Sequence, residues 1–523
     1  MTAKASPTVI EPVIHEQSTE SRLERLSDRI SPIVVKEVRQ MVQGREFNYS
    51  LTLSVLVGLL ASFATVVTTP DAASGAGVSV FSWLTSCLMV IGFVVAPLGA
   101  FSSLRNERME RTLDLVTVTT MSARRIVIGK LLAQAVKLIT LFAALAPFVA
   151  MSFMLGGIDF PTIFLSLTAL FLMSLWLCAG ALFLSCLSKS RAVSTLIFAA
   201  MIVLSLIFAL TSGMGFLLMR AFFIGPRFGP PVSAFGSSFF SMSGPDFWWT
   251  LAAFGAFFAV TISNLILLAE NRLLQPTEDR STGLRIGFLL QFLLIIAVAI
   301  YTAMTTSGYR SLGLGSASYM SNEAMQILGI LGGMQLALVA AFTITEDIIP
   351  SRRIRHQIES ASGWRRYLWI FRPGGSRGAI YVLLQMALML AFSLIFYPSS
   401  STEFSWFVVI CGYICFFSAL PVCLMLLKPE RFKPVHRRIA ILLLLPVACL
   451  LPDFLVYLAT GDYGGYYSAR HVLNPFRTLS NWRNSTTEVW HFLAMGLCAA
   501  GFLMYLILIG IGRKEPSAHE TAN

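Results

Sequence analysis

The sequence predicts an all-α polytopic membrane protein of about 12 transmembrane helices, N-in and C-in, with two six-helix halves in parallel orientation. Three observations predict it. Apolar residues make up 56% of the 523 residues and charged residues only 13%, whereas a soluble chain is about 25% charged. Such a chain cannot cover itself in water. Apolar stretches recur at the length that crosses hydrocarbon, about 20 residues per helix. Lys and Arg gather in every second loop, and 32 of the 39 fall on one side of the resulting topology.

The apolar stretches run approximately 50–68, 80–101, 132–154, 162–187, 193–218, 247–269, 286–304, 325–345, 379–397, 404–427, 439–458 and 489–511. They are too long for barrel strands, and backbone groups in lipid must bond within their own segment, so they are helices. Residues 1–30 carry five acids and no apolar run, and are read as a polar tail rather than a signal peptide. The basic segments are 1–49, 102–131, 188–192, 270–285, 346–378, 428–438 and 512–523, which places both ends in the cytoplasm. The net charge of +12 is therefore an inner-surface charge facing anionic lipid. The bilayer is the expected partner and nucleic acid is not.

Loop lengths pair up between the halves. The loops after the second and eighth stretches hold 30 and 33 residues, and those after the fifth and eleventh hold 28 and 30. Six spans are an even number, so both halves keep one orientation, as in parallel repeats. The expected organisation is a tail 1–30, a first half 31–272, a second, degenerate half 273–511 and a tail 512–523.

Residues 31–47 (SPIVVKEVRQMVQGREF) read as a basic amphipathic lead-in helix at the inner interface. Ser31 can cap it, Pro32 suits its first position and Gly44 can end it. Within 104–130, Glu107, Glu110, Arg111 and Asp114 share one face of a short amphipathic helix. Ser122 can cap a second helix carrying Arg124, Arg125 and Lys130. A charged helix held between two spans suits either a solvated topological loop or a surface that receives force from a soluble partner.

The string E-R-x-x-R-T-L-D-L followed by M-S-x-x-x-I-x-x-G-K resembles the segment after the second span in ABC-2 type permeases, membrane subunits of ATP-binding-cassette exporters. Glu107, Glu110, Thr112, Leu113, Asp114, Leu115, Ser122, Ile126, Gly129 and Lys130 match that pattern. Pro32, Lys36, Glu37 and Arg39 resemble the family's lead-in helix, and the Pro/Gly-rich loop before span 6 its external re-entrant segment. The likeness covers about residues 30–272. Arg111 stands where the family usually has Gly, and the second half lacks the Thr-Leu-Glu string.

The resemblance implies a permease without enzymatic activity, driven by a separate cytoplasmic ATPase, present as a dimer. That partner would contact Glu107, Glu110, Arg111, Thr112, Leu113, Asp114 and Lys130. It further implies a homodimer of this chain if the second half is not a pseudo-subunit, and a bacterial inner membrane as its setting. No phosphate loop of the form G-x-x-x-x-G-K-[ST] occurs, so ATP is expected on the partner and no cofactor on this chain. The rival classes are a twelve-span secondary transporter and a non-transporting membrane anchor.

Ionisable and soft residues inside spans complete the reading. Lys137 is expected to snorkel to the inner interface. Asp453 is expected near the outer water boundary, with an intramembrane polar site for a cation or proton as the alternative. Gln291, Gln335, Gln385 and Asn264 suit either a path or interhelical glue. Cys411 and Cys415 share a helix face and read as packing residues, with no metal expected.

Overall fold

The structure is a computed structural model and describes residues 32–68, 76–110, 122–155, 160–187, 192–203, 205–206, 245–274, 279–306, 328–346, 369–396, 401–427, 434–460, 471–482 and 489–513. Among them every regular element is helical and none is a strand. Nine described helices are long and apolar enough to cross a bilayer. The protein is an integral, multi-pass, all-α membrane protein. All twelve apolar stretches fall at least partly on described helices, three of them on Ala192–Val203, Leu328–Thr343 and Pro434–Thr460.

The chain divides into two compact units, Met1–Ala252 with Leu265–Leu273, and Ala253–Asn264 with Leu274–Asn523. The first unit contains α1 (Pro32–Gln43), α2 (Arg45–Thr68), α3 (Ala76–Val90), a π-helical turn (Ile91–Val95) and α4 (Ala96–Met109). It continues with α5 (Ala123–Met154), α6 (Phe160–Leu187) and α7 (Ala192–Val203). Helix α8 (Pro245–Leu273) contributes residues to both units.

Helix α1 stops where Gly44 interrupts it, the Gly44 N–H donating to Met41 O at 3.0 Å, and α2 starts at the next residue. Val34, Glu37, Val38 and Met41 are its sheltered stripe, and α1 packs on α5. Met41 also joins Phe47, Ile91 and Leu141 in a small core. The lead-in helix thus rests its apolar stripe on protein, where the sequence reading placed it in the lipid interface. The main core of this unit is Val80, Phe81, Leu84, Leu88, Phe93, Leu145, Val149, Ile163 and Leu170, drawn from α3, the π turn, α5 and α6.

The second unit contains α9 (Thr282–Thr306), a second π turn (Leu328–Gly332), α10 (Gly333–Thr343), α11 (Gly375–Phe396), α12 (Ser401–Leu426), α13 (Pro434–Thr460), α14 (Pro475–Trp482) and α15 (Val489–Arg513). Its core joins Val409, Tyr413, Phe417, Val472, Ala494 and Cys498. Helix α14 was not expected from the sequence. Asn474 caps it, Oδ1 accepting from the Phe476 and Arg477 N–H groups at 3.0 and 3.3 Å. It is fastened to α12 by Trp406 Nε1 donating to Leu479 O at 3.1 Å and Trp482 Nε1 donating to Ser405 Oγ at 2.8 Å.

Lipid tails are as apolar as the helices, so association depends on close packing and polar contacts rather than on expulsion of water. Glycines supply the closeness. A Cβ on Gly412 would overlap Cys498, and one on Gly501 would lie 2.9 Å from Gly412 O. Each π turn has glycine at its second position. A Cβ on Gly92 would overlap Ser174 of α6, and one on Gly329 would overlap the Trp406 ring of α12. At the start of α11, Gly378 meets the Thr343 backbone with no room for a side chain.

Overpacking of a filled interface costs about 1–3 kcal/mol. Gly378→Ala should therefore lower thermal stability in detergent, read as the fraction monodisperse after heating. Gly496→Ala, with nothing within 4 Å of its new methyl, should leave it unchanged. Equal tolerance of both substitutions would mean that α10 and α11 are not in backbone contact.

Candidate functional site

Lys130 sits in the second turn of α5 and is only 2% exposed. A buried ammonium needs opposite charge and hydrogen-bond acceptors. Two helices provide them. Glu37 of α1 lies 2.8 Å from Lys130 Nζ, Glu107 of α4 lies 3.1 Å away, and Ser103 Oγ accepts at 3.0 Å. Lys36 adds an exposed contact to Glu107 at 3.9 Å. The tie therefore joins the lead-in helix to both ends of the 102–131 loop.

Two arginines fasten the α4 end further. Arg108 donates to Cys186 O at 2.5 Å, at the end of α6. Arg105 donates to Thr195 Oγ1 at 3.2 Å and lies over the Phe198 ring at 5.4 Å, both on α7. The loop end of the unit is thus cross-linked through α1, α4, α5, α6 and α7 by charge-assisted bonds, which are roughly twice as strong as neutral ones.

Of the residues singled out in the sequence, Lys36, Glu37, Glu107 and Lys130 are brought together. Lys130 is enclosed, so its place is to hold the loop rather than to meet a partner. Arg39 is exposed beside Lys36, Gln40 and Gln43, which with Val35 line a shallow depression on α1. Pro32 opens α1. Glu110 is exposed at the C-terminal end of α4, its N–H donating to Asn106 O. Arg111, Thr112, Leu113 and Asp114 lie outside the described residues.

Two local expectations are corrected. Residues 104–109 do not start a separate amphipathic helix but continue α4. Ser122 stands at the N-cap of α5 and accepts from the Arg125 N–H at 2.9 Å through its backbone, while its hydroxyl makes no capping bond.

Among the intramembrane residues, Lys137 departs from its expectation. Lys137 is 4% exposed and packed against Gly99 of α4, so it is enclosed by helices instead of snorkelling to water. Asn264 Nδ2 donates to Gln291 Oε1 at 2.6 Å, and Gln335 Nε2 donates to Phe288 O at 3.3 Å, both on α9. Gln385 donates to Tyr381 Oη at 2.7 Å. Asn264 and Gln335 are thus interhelical glue, whereas the Gln385 bond stays within α11. Asp453 is half-buried in α13, and its Oδ1 has no hydrogen-bond partner among the described residues. Among those residues no group of three His, Cys, Asp or Glu is placed to hold a metal.

The sequence reading missed a second polar centre altogether. Arg285, in the first turn of α9, is fully buried. Its guanidinium pairs with Glu346 Oε2 at 2.7 Å and donates to the carbonyls of Ile370, Arg372 and Gly374 at 2.8, 2.8 and 3.0 Å. Glu346 also accepts from Ser281 Oγ at 2.6 Å and from the Gly374 N–H at 2.9 Å. Gly374 has φ +138°, a conformation open to glycine alone without strain, and it lets both its N–H and its carbonyl face the centre. The available signal was the loop itself, with Glu346 at the end of one span and Gly374 and Gly375 at the start of the next, but Arg285 lies 61 residues from its carboxylate.

Compared with protein-family models, curated proteins and solved structures, the chain matches none. The fold and site define a class, an α-helical multi-pass membrane protein whose units are locked at one end by buried ion pairs.

Removing one partner of a buried ion pair costs about 3–5 kcal/mol. Lys130→Met should fall at the low end, because Glu107 keeps some access to water. The check is the thermal unfolding midpoint in detergent. Lys130→Met combined with Glu37→Gln should recover some of the loss, whereas two independent losses that add would show the residues to be uncoupled.

Proposed function

We propose that the protein is the membrane-spanning permease subunit of an ATP-binding-cassette exporter, driven by a separate cytoplasmic ATPase that docks on the loop after the second span. In this reading the chain crosses twelve times with both termini inside, its two six-span halves lie parallel, and it resides in a bacterial inner membrane. It hydrolyses no ATP itself. The observation that carries the reading is the tie at Lys130. Glu37, Glu107 and Lys130, three residues of the family-like pattern, come from separate segments and meet within 3.1 Å.

A loop can transmit force only if its ends do not yield. A push on 110–122 reaches α1 through Glu37, α4 through Glu107 and α5 through Lys130 as one body. ATP-driven closure of the ATPase pair would tilt these helices together and switch access between membrane faces. Glu110, Arg111, Thr112, Leu113 and Asp114 form the contact surface in this scheme, and Lys36, Glu37, Glu107 and Lys130 hold it in place.

Glu110→Lys combined with Asp114→Lys should abolish co-purification with the ATP-binding subunit while the chain still inserts. Unchanged binding would sink the assignment. Green fluorescent protein fused after Asn523 should fluoresce, and alkaline phosphatase fused there should stay inactive. The opposite pair of results would reverse the orientation.

A further inference from the structure

Helix α1 has two faces with different surroundings. Glu37, its one acid, is turned to Lys130. Lys36, Arg39, Gln40 and Gln43 follow i, i+3, i+4, i+7 spacing on another face, and with Val35 they line a depression of about 560 Å³. All five are exposed. Two cations therefore share an open surface with no acid from their own helix. Lys36 reaches Glu107 only at 3.9 Å, and that carboxylate has Lys130 closer, at 3.1 Å. Among the described residues Arg39 has no carboxylate within ion-pair distance.

The chemistry of this face fits a phosphate ester. A guanidinium offers two parallel N–H groups to phosphate oxygens, and an ammonium adds a point charge beside it. The Gln40 and Gln43 amides can each donate or accept, which suits hydroxyls next to a phosphate. The place of α1 in the chain names the source of that phosphate. It ends at Gln43, and the apolar window of α2 begins at Phe47, so the depression lies at the level of lipid headgroups. Beyond the break α2 exposes Tyr49, Leu53, Leu56, Leu60 and Phe63 at intervals of four and three, a single lipid-facing stripe. Tyrosine at the head of such a stripe suits the membrane interface. A soluble protein or a nucleic acid would use the charge alone, whereas a phospholipid uses both the charge and the apolar wall.

We infer that the depression is a binding site for one anionic phospholipid, its phosphate held by Lys36 and Arg39 and its headgroup hydroxyls by Gln40 and Gln43. General attraction between basic loops and acidic lipid is diffuse and has no stoichiometry. A built site saturates at one lipid per chain. The lipid pins one face of α1 in the membrane surface, and the ion pair to Lys130 pins another. The site stands apart from the permease reading, since no ATPase enters it.

The test is native mass spectrometry of the full-length chain, stripped of lipid in detergent and titrated with phosphatidylglycerol or phosphatidylcholine. One phosphatidylglycerol per chain should bind ahead of phosphatidylcholine. Lys36→Gln with Arg39→Gln should weaken it about thirtyfold, the factor for two basic side chains at an anionic surface. Arg352→Gln with Arg353→Gln, an equal loss of charge in the segment 346–378, should leave binding unchanged. Gln40→Glu with Gln43→Glu, which touches no residue of the tie, should weaken binding by repulsion. Equal retention of the two lipids, or equal losses in the two charge-removing variants, would overturn the inference. Photoreactive benzoylphenylalanine at Gln43 in native membranes should take up lipid. A protein adduct there would make the face a protein interface and overturn it as well.

Discussion

A guanidinium cannot shed its proton to escape burial, and Arg285 is fully enclosed in the second unit. The chain around it is arranged to satisfy that charge. Glu346 supplies the counter-charge, three backbone carbonyls accept its other donors, and Gly374 takes up a positive-φ conformation to bring its polar groups inward. Only Nε lacks a partner among the described residues. Tyr381 then donates to Arg285 O at 2.5 Å and receives Gln385, which extends the order from the tie into α11. The first unit solves the same problem around Lys130 with two carboxylates and a hydroxyl. In both, one buried cation decides where the ends of a long loop must sit.

Away from the ties the constraint is contact distance. With no hydrophobic gain from pairing helices in lipid, the second unit brings α12 and α15 together at Gly412 and Gly501, where Cys498 and the Phe416 backbone fill the space a side chain would take. Ser418 and Tyr505 hydroxyls, 2.8 Å apart, add a polar link between the same helices. The cysteines of this region fill volume: Cys415 touches Met386 sulfur at 3.5 Å, and Cys498 packs on Gly412. The packing role expected for Cys411 and Cys415 fits that setting, since both are fully buried among apolar neighbours.

The sequence made the spans legible because hydropathy over about 20 residues is a local property, and Gly44 likewise marks its break locally. Other features depend on partners far along the chain. Nothing near Lys130 indicates Glu37, 93 residues away. The π turns escape notice because IGFVV and LGILG are as apolar as the α-helix around them. Lys137 is a related case: its position near a span end allows snorkelling, and only the packing of Gly99 against it decides otherwise. Helix α14 is different. Asn474 followed by Pro475 is a cap and first-position pair, legible as a helix start. Its eight residues are too short and too polar to stand out beside the spans.

The two ties differ in how they yield. Lys130 is a point charge on a flexible stem, and all its partners here are side chains, two of them carboxylates with some access to water. Rotating Glu107 outward would break one bond of this tie and leave Lys130 with Glu37 and with Ser103 of α4. Arg285 instead grips backbone from residues 370 to 374 through a rigid planar group. Releasing that turn requires several bonds to break together around a guanidinium that is fully buried. The first tie can therefore exchange its bonds one at a time, while the second gives only when several break together. That difference follows from the choice of lysine in one tie and arginine in the other.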